Sequence, residues 1–259
     1  MTIVDRHPPS GTPATGGPHG AAAGSLDASG LVVRFEGIVA IDGIDCAFEP
    51  ATIVGLIGPN GAGKTTLVNV LTGFQRPTEG TVRLDGVEIT RQSPERRARA
   101  GVVRTFQGAR LFSDLDVIEN VEVSGVGVGL GRRAARARAV EALDALGIGH
   151  LGRRRAADLS TGQERRLQVA RALAMRPRFL FLDEPAAGLN EHETDELVAA
   201  ITALPSTIGC GVVLIEHDVQ MVMSLCARLV VLDQGAVLAV GTPAEIRADQ
   251  RVVDAYLGS

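Results

Sequence analysis

The sequence predicts an α/β fold: a mainly parallel β-sheet with covered faces, an antiparallel β layer at its start and a helical insertion. Three observations predict it. Short β-rich apolar runs alternate with segments of helical period, which is typical of sheets that are covered on both faces. A glycine-rich loop stands between an apolar strand and a helix at residues 58–65. The stretch at about 112–175 has a mostly helical pattern.

The composition is that of a globular protein and argues against several classes of function. At 259 residues, 45% of them apolar, the chain can bury a sizeable core. Its net charge of -4 argues against nucleic acid as a partner. The three cysteines form no C-x-x-C pair, which argues for a reducing compartment and against a disulfide or zinc framework. No apolar run reaches the roughly 18 residues that cross a bilayer, so we expect any membrane association to come through a partner.

The N-terminal segment differs in composition from the rest of the chain. Residues 1–28 are rich in Gly, Pro, Ala, Ser and Thr, and they show no apolar periodicity. They also lack the continuous apolar stretch of a secretory signal. We therefore expect a disordered tail over residues 1–28 and a single folded domain over residues 29–259, with its first strand near Leu31.

The N-terminal half of this domain predicts β-strands around two helices. The helix after the glycine-rich loop places Leu67, Val70 and Leu71 on one face. Ser93 and Pro94 are a typical cap and first-turn pair for a second, short helix. The predicted strands of this half are 31–35, 41–49, 52–58, 81–86 and 102–106.

The helical insertion predicts a loop followed by a solvated helix. Residues 125–131 are glycine-rich and residues 132–138 are arginine-rich. We expect Val140, Leu143 and Leu146 to form the inner face of that helix. After the insertion the chain alternates again, with predicted strands at 179–183, 212–216 and 229–233 and helices at 191–204 and 218–226.

The glycine-rich loop matches the phosphate-binding pattern G-x-x-x-x-G-K-[ST] in the strand–loop–helix context that the pattern requires. Its residues are Gly58, Pro59, Asn60, Gly61, Ala62, Gly63, Lys64 and Thr65, followed by Thr66. Glycines let successive N–H groups turn towards phosphate oxygens, and the helix start adds its positive dipole end. Lys64 is expected to reach the β- and γ-phosphates, and the Thr65 hydroxyl to ligate Mg²⁺.

The alternative is an ordinary glycine-rich turn before a helix, and the lysine argues against it. Of the 26 basic residues, 25 are arginine, and the only lysine is Lys64. A compact ammonium suits a phosphate cradle better than a planar guanidinium does.

An acidic pair ends the apolar run at residues 179–182. Adjacent side chains of a strand point to opposite sides, so Asp183 and Glu184 can take separate roles. Asp183 is expected to hold Mg²⁺, and Glu184 to orient and deprotonate an attacking water. Solvated acids at a strand end are the alternative, which is much weaker beside a phosphate loop.

A helix start at Ser160 carries a second candidate phosphate site. Ser160 and Gln163 fit a capping box. That interpretation leaves Gly162 unexplained, because glycine in a first turn adds nothing to helix stability. A glycine there clears side-chain bulk from an anion-binding helix end, so we expect the site to bind phosphate from outside.

With these motifs in order, the chain resembles ABC-type ATPases. The segment LSTGQ at 159–163 is similar to the family signature, and the resemblance covers about residues 29–259. It implies ATP and Mg²⁺ as ligands and a P-loop NTPase of the ABC ATPase fold. That fold has an antiparallel β subdomain and a helical subdomain, here at about 112–175.

The resemblance also implies roles for single residues. Gln107 matches the glutamine that contacts Mg²⁺ and senses the transmembrane partner, and His217 the histidine that contacts the γ-phosphate. Phe35 stands at the place of the aromatic residue that stacks on adenine. The segment 185–190 matches the D-loop, except that Asn190 replaces the Asp of many members and keeps the hydrogen-bonding shape without the charge.

In this family the signature helix cannot reach the phosphate loop of its own chain. The resemblance therefore implies a second ABC ATPase subunit, identical or homologous, and two ATP molecules sandwiched between the two. Each γ-phosphate would meet Ser160, Gly162 and Gln163 of the facing subunit. Integral-membrane permease subunits are implied as partners, as is, indirectly, a periplasmic or lipid-anchored solute-binding protein. The implied location is peripheral, on the cytoplasmic face of the inner (plasma) membrane.

Four segments are similar to the larger ATPase subunit of branched-chain amino-acid importers. They are LSTGQERRLQVARAL, DEPAAGLN, LIEHD and the C-terminal VVDAYLG. Lipid- and urea-handling transporters carry similar strings and remain alternatives. A soluble ABC ATPase acting on DNA or translation is a further alternative, against which the single phosphate loop and the negative net charge argue.

Overall fold

The computed structural model of the chain describes residues 24–106 and 111–257. Its strands are β1 (Leu26–Phe35), β2 (Ile38–Phe48), β3 (Ile53–Ile57), β4 (Glu79–Leu84), β5 (Val87–Glu88), β6 (Val102–Arg104), β7 (Phe179–Asp183), β8 (Gly211–Ile215), β9 (Arg228–Asp233) and β10 (Ala236–Gly241). Its α-helices are α1 (Lys64–Thr72), α2 (Pro94–Arg99), α3 (Val117–Gly127), α4 (Arg132–Ala145), α5 (Thr161–Leu173), α6 (Glu191–Ile208), α7 (Val219–Leu225), α8 (Pro243–Ala248) and α9 (Gln250–Val252). Short 3₁₀ turns at Gly149–Leu151 and Ala156–Asp158 precede α5, and a π-helical turn at Val253–Leu257 follows α9.

The strands form two sheets. One is antiparallel, in the order β2-β1-β4-β5, and the other has the order β10-β9-β3-β8-β7-β6. Strands β6, β7, β8, β3 and β9 of the second sheet run parallel, and β10 pairs antiparallel with β9 at its edge. The predicted α/β fold with a mainly parallel sheet and an antiparallel layer is confirmed. Helices α3, α4 and α5 lie between β6 and β7, and no described helix is long and apolar enough to cross a bilayer.

The parallel sheet is buried on both faces, which is why its strands are continuous apolar runs. Along β7, Phe179 and Phe181 belong to the core shared with the antiparallel sheet and α1. Leu180 and Leu182 belong to the core shared with the helices of the insertion and α6. Alternating side chains of one strand therefore join two cores.

The expectation of a disordered tail through residue 28 is wrong for residues 26–28. Leu26 pairs with Phe48 of β2 on one side and with Leu84 of β4 on the other. Leu26 and Ala28 are buried, with a partly exposed Asp27 between them. These two apolar residues give only a weak alternating pattern within a polar stretch. The composition therefore did not reveal the start of β1, a central strand of the antiparallel sheet. Residues 1–23 lie outside the described part of the chain.

The inner face of α4 also differs from the prediction, since Val140 is 44% exposed while Leu143 and Leu146 are buried. The buried stripe consists of small side chains at helical spacing, which Ala135 and Ala139 exemplify. These allow a close approach of α3, because a Cβ at Gly125 would lie 3.2 Å from that of Ala135. The prediction is therefore right for Leu143 and Leu146 and wrong for Val140, because counting only large apolar residues overlooked the buried alanines.

Helix α6 is longer than predicted. We expected it to end before Pro205, but it continues through that residue to Ile208. Gly209 ends the helix in the left-handed conformation, at φ +73°, and its N–H donates to the Pro205 carbonyl at 3.0 Å.

A buried arginine closes the C-terminal end of α1, the helix that starts at the phosphate loop. The guanidinium of Arg97 is fully buried and donates to the carbonyls of Val70 and Leu71 at the end of α1 and to that of Thr90. Burial lowers the pKa of Arg97 to about 10. These three bonds to backbone carbonyls fix the helix relative to α2.

We expect Arg97→Met to lower the free energy of unfolding by about 3 kcal/mol, because the carbonyls would stay buried without donors. Chemical denaturation measures the change. Arg99→Met on the exposed face of the same helix is the matched control and should cost roughly 0.5 kcal/mol or less. Equal effects of the two variants would contradict the role given to Arg97.

Candidate phosphate site

The loop between β3 and α1 is held by close backbone contacts that only glycine permits. Gly58 has φ +146°, and a Cβ there would lie 2.0 Å from the Leu232 carbonyl oxygen. Gly63 has φ +100°, and its Cβ would lie 2.8 Å from the Ala40 carbonyl oxygen. Among the described residues, no side chain caps the start of α1 after Gly63. The N–H groups of its first turn are therefore available to an anion.

Lys64 lies beneath this loop with only 7% of its surface exposed. Its ammonium donates to the carbonyls of Gly58 at 2.6 Å and Pro59 at 3.0 Å. Burial lowers the pKa of Lys64, and the carboxylates of Glu184 and Asp183 oppose that shift. The two hydrogen bonds hold the cation in place and leave one N–H group of the ammonium for a ligand.

Asp183, the last residue of β7, is fixed by a buried ion pair. Its Oδ2 accepts from Nη2 of Arg104 at 3.0 Å, and the two side chains are 13% and 7% exposed. Burial raises the pKa of Asp183, and Arg104 opposes the shift. Arg104 also donates to Asn69 of α1 and lies 4.9 Å from the ring centre of Phe106. The arginine therefore ties the acid to α1 while one carboxylate oxygen stays available.

The sequence prediction did not include Arg104. One signal was available in the sequence. Arg104 is a basic residue in a predicted strand, and that strand is expected to run parallel to the strand that ends in Asp183. In the sheet Arg104 pairs in register with Phe181.

Glu184 directs its carboxylate to His217. The backbone of Glu184 is in the left-handed region, at φ +47°, and its N–H donates to the Ile215 carbonyl at 2.9 Å. A non-glycine residue held there is a strained position of the kind that clusters at functional sites. Oε1 of Glu184 lies 2.8 Å from Nε2 of His217. The predicted base, Glu184, is therefore paired with His217, which is predicted to contact the γ-phosphate.

A buried acid, Glu216, lies next to that pair and holds the backbone of one of its members, His217. Glu216 is 5% exposed, and its two oxygens accept from the backbone N–H groups of Ala186 and His217. Burial raises the pKa of Glu216. The sequence prediction missed this residue too, although an acid that directly precedes His217 at a strand end was a signal.

The structure brings most of the predicted residues to one cavity. Its lining includes Asp183, Glu184 and His217, together with Ala40, Ile215 and loop and helix residues Asn60, Gly61, Ala62, Gly63, Lys64, Thr65 and Thr66. Phe35 does not line this cavity and is 44% exposed at the end of β1. Gln107 lies outside the described residues.

The predicted capping box of α5 is present, but its helix start lies outside that cavity. The Ser160 hydroxyl accepts from the Gln163 N–H at 3.3 Å, and the side-chain oxygen of Gln163 accepts from the Ser160 N–H at 3.1 Å. Gly162 is buried. Asn190 caps α6 in the same manner, since its side chain accepts from the Glu193 N–H at 3.0 Å.

A glycine-rich phosphate loop with a buried lysine, facing two acids at the end of a parallel strand of the same sheet, defines the P-loop class of nucleotide hydrolases. Comparison with known proteins narrows the class. A family model described as "ABC transporter" matches residues 41–187, more than half of the chain. A second model, described as "Branched-chain amino acid ATP-binding cassette transporter", matches residues 236–259.

Individual relatives agree with the family models. The chain is 46% identical over 248 residues to the high-affinity branched-chain amino acid transport ATP-binding protein BraF of Pseudomonas aeruginosa, covering 90% of this chain and 97% of the relative. It is 44% identical, with the same coverage, to the corresponding protein LivG of Escherichia coli K12. The lipopolysaccharide export system ATP-binding protein LptB of Haemophilus influenzae is 33% identical, again over 90% and 97%.

The fold agrees as well. The crystal structure of the ADP conformation of MJ1267, an ATP-binding cassette of an ABC transporter, superposes with a TM-score of 0.81 at 29% identity, covering 90% of this chain and 98% of that one. The chain belongs to the family of ABC transporter ATP-binding proteins and is an ABC-type ATPase.

We expect Glu216→Gln to slow ATP hydrolysis by roughly 10-fold, because one of the two N–H groups would then face an amide NH₂ instead of an acceptor. Steady-state phosphate release measures the loss. Glu191→Gln, at an exposed position, is the control and should leave the rate unchanged. A Glu216→Gln rate equal to that of the wild type would show that the bonds of Glu216 to Ala186 and His217 do not matter for hydrolysis.

Proposed function

We propose that the chain is the ATP-hydrolysing subunit of an importer that takes up branched-chain amino acids. One observation carries the ATPase half of this proposal. A buried lysine, a charge-balanced aspartate and a glutamate–histidine pair line one cavity with the phosphate loop.

The loop and Lys64 provide the binding part of the reaction. We assign the β- and γ-phosphates to the backbone N–H groups of residues 60–66 and to the Lys64 ammonium. Because that ammonium is already held by two carbonyl oxygens, little side-chain freedom is lost when a triphosphate binds.

The residues also suit a magnesium ion. Mg²⁺ prefers hard oxygen ligands and keeps several waters, using one or two carboxylates together with substrate phosphates. The Thr65 hydroxyl and the Asp183 carboxylate supply such ligands, and no cluster of three or more acid, His or Cys side chains stands in the described residues as an alternative cage. Thr65 and Asp183 would hold the ion, with Gln107 as a further predicted ligand. When bound, it would neutralise charge on the phosphates.

Glu184 is placed to act on the attacking water. Its carboxylate would orient that water and take its proton as the oxygen attacks the γ-phosphate. His217 holds Oε1 of Glu184 at 2.8 Å, which fixes the direction of the carboxylate. His217 itself would contact the γ-phosphate from the same side.

A second ATPase subunit, identical or homologous, would complete the site. In this proposal the α5 start with Ser160, Gly162 and Gln163 meets the γ-phosphate that the facing subunit holds. ATP then favours the closed pair and hydrolysis releases it. Phe35, half exposed at the tip of the antiparallel sheet, would stack on the adenine.

The transport half rests on the relatives. Two proteins named for branched-chain amino acid transport are 46% and 44% identical to the chain, compared with 33% for one named for lipopolysaccharide export. We therefore favour an amino-acid importer over a lipid or urea transporter, and a transport ATPase over a soluble non-transport one. The subunit would sit peripherally on the cytoplasmic face of the inner (plasma) membrane against permease subunits, which receive cargo from a periplasmic or lipid-anchored solute-binding protein.

We expect Glu184→Gln to abolish ATP turnover while it preserves ATP binding and traps the ATP-bound pair, because the amide cannot take the proton of the water. Phosphate release and size-exclusion chromatography with ATP measure the two effects. Wild-type turnover in this variant would overturn the role assigned to Glu184.

Replacement of Lys64 should weaken nucleotide binding whether or not a positive charge is kept. We expect Lys64→Ala and Lys64→Arg each to lower ATP affinity by about 10-fold or more, because a planar guanidinium cannot reproduce the ammonium's contacts in a space shaped by Gly58 and Pro59. Titration with a fluorescent ATP analogue measures the affinity. Wild-type affinity in Lys64→Arg would show that the site needs only charge.

Purification from native membranes tests the transport proposal. We expect the chain to copurify with permease subunits and a solute-binding protein, and the ligand of that solute-binding protein to be a branched-chain amino acid. If that ligand is a lipid or urea, the assignment of branched-chain amino acids as the cargo is wrong. Association with ribosomes or DNA that falls steeply with salt would favour the soluble alternative.

A further inference from the structure

The carboxylate of Glu193 joins the starts of two helices. Glu193 lies in the first turn of α6, and its Oε2 accepts from the Asn190 N–H at 3.3 Å within its own capping box. Its Oε1 reaches across to α5 and accepts from the Gly162 N–H at 3.1 Å and the Ser160 hydroxyl at 3.3 Å. One acid therefore caps the helix that carries it and also occupies the start of α5.

Gly162 gives this carboxylate its space. A Cβ at position 162 would lie 2.7 Å from the Cγ, Cδ and Oε1 atoms of Glu193. We expected the glycine to clear space for a phosphate from outside. In the free subunit, that space holds an anion from the same chain.

Glu193 is a chemical stand-in for a phosphate oxygen. Hydrogen bonds from the Asn190 and Gly162 N–H groups lower its pKa, so the group is a charged carboxylate at neutral pH. A carboxylate and a phosphate use the same kind of anionic oxygen, and the same backbone and hydroxyl groups bind both. Two such anions at hydrogen-bonding distance from one N–H would repel each other strongly.

We propose that Glu193 is an autoinhibitory group, which occupies the α5 start in the free subunit and must leave it before the γ-phosphate of the facing subunit can bind there. This inference rests on the proposed function, in which that phosphate meets Ser160 and Gly162. The contact sets a threshold for ATP-driven closure of the pair.

The same contact links closure to the segment at 185–190. Oε2 of Glu193 is bonded to Asn190, the last residue of that segment, through the capping box. When the carboxylate leaves Gly162, either its side chain turns or the first turn of α6 moves with it. Binding of a phosphate at α5 of one subunit is thereby coupled to residues 185–190 of that same subunit, which directly follow Glu184.

The test measures the ATP concentration that gives half-maximal association of the full chain, alone or with the ATPase subunit that copurifies with it. All proteins carry Glu184→Gln, so that hydrolysis does not intervene. Glu193→Gln keeps the size and the capping acceptor but removes the charge. Glu193→Asp keeps the charge but shortens the reach to Gly162. Glu245→Gln is the matched control, because Glu245 occupies the same first-turn position of α8 and accepts from its own cap, Thr242.

We expect both Glu193 variants to need about 5-fold less ATP than the parent, because charge-assisted hydrogen bonds are roughly twice as strong as neutral ones and a shorter acid cannot make them. Glu245→Gln should match the parent. Thermal melting shows that each variant is folded, so a loss of association cannot be mistaken for unfolding.

Three outcomes would overturn the inference. An unchanged or raised ATP requirement in both Glu193 variants would make the contact a structural bridge. An equal fall in Glu245→Gln would assign the effect to net charge. If the parent itself shows no ATP-dependent association, the proposed ATP sandwich fails, and the role of Glu193 fails with it. If the parent associates and only the Glu193 variants disagree, the sandwich stands and Glu193 alone loses its role.

Discussion

The parallel register of three neighbouring strands determines where the chemistry lies. Leu56 of β3 and Asp183 of β7 both pair with Ile215 of β8, so the strands end together at one edge. Just beyond these three positions lie the phosphate loop after Ile57, Glu184, and the Glu216–His217 pair. A shift of one residue in either pairing would separate the lysine from the acids, and burial on both faces resists such a shift.

Each charged side chain at that edge already has a hydrogen-bonding or ion-pair partner. The site is therefore preorganised before a substrate binds. Lys64 is bonded to two loop carbonyls, Asp183 to a buried arginine, and Glu184 to His217. Preorganised groups of this kind need not rearrange during the reaction, which is a large part of electrostatic catalysis. Arg104 also touches the exposed ring of Phe106, directly before the predicted sensor Gln107. Arg104 therefore connects Asp183, the proposed magnesium ligand, to the residue that precedes Gln107.

The sequence predicted the parts of this molecule that depend on local pattern. The loop, the acids that end β7 and the capping box at Ser160 are each defined by a few adjacent residues, and the structure contains them. Arg104, Glu216 and Glu193 were not predicted because their partners come from distant segments, and only the sheet register and helix packing bring them together. The exposed Val140 and the strand at residues 26–28 were misassigned because small or sparse apolar positions carry a weak periodic signal.

The start of α5 shows most clearly how local pattern and tertiary structure combine. The sequence identified Gly162 as a place kept clear for an anion, and packing of α6 supplies one from Glu193. The proposed mechanism therefore gives the site two states, with either the internal carboxylate or a facing phosphate at the same N–H group.

The most direct test of this account is a structure of the Glu184→Gln protein with ATP and Mg²⁺. We expect a γ-phosphate between Lys64 and His217 of one subunit and the Ser160–Gly162 backbone of the facing subunit, with the Glu193 carboxylate moved away from Gly162. A triphosphate bound away from Lys64, or one bound without any contact from a second subunit, would contradict it.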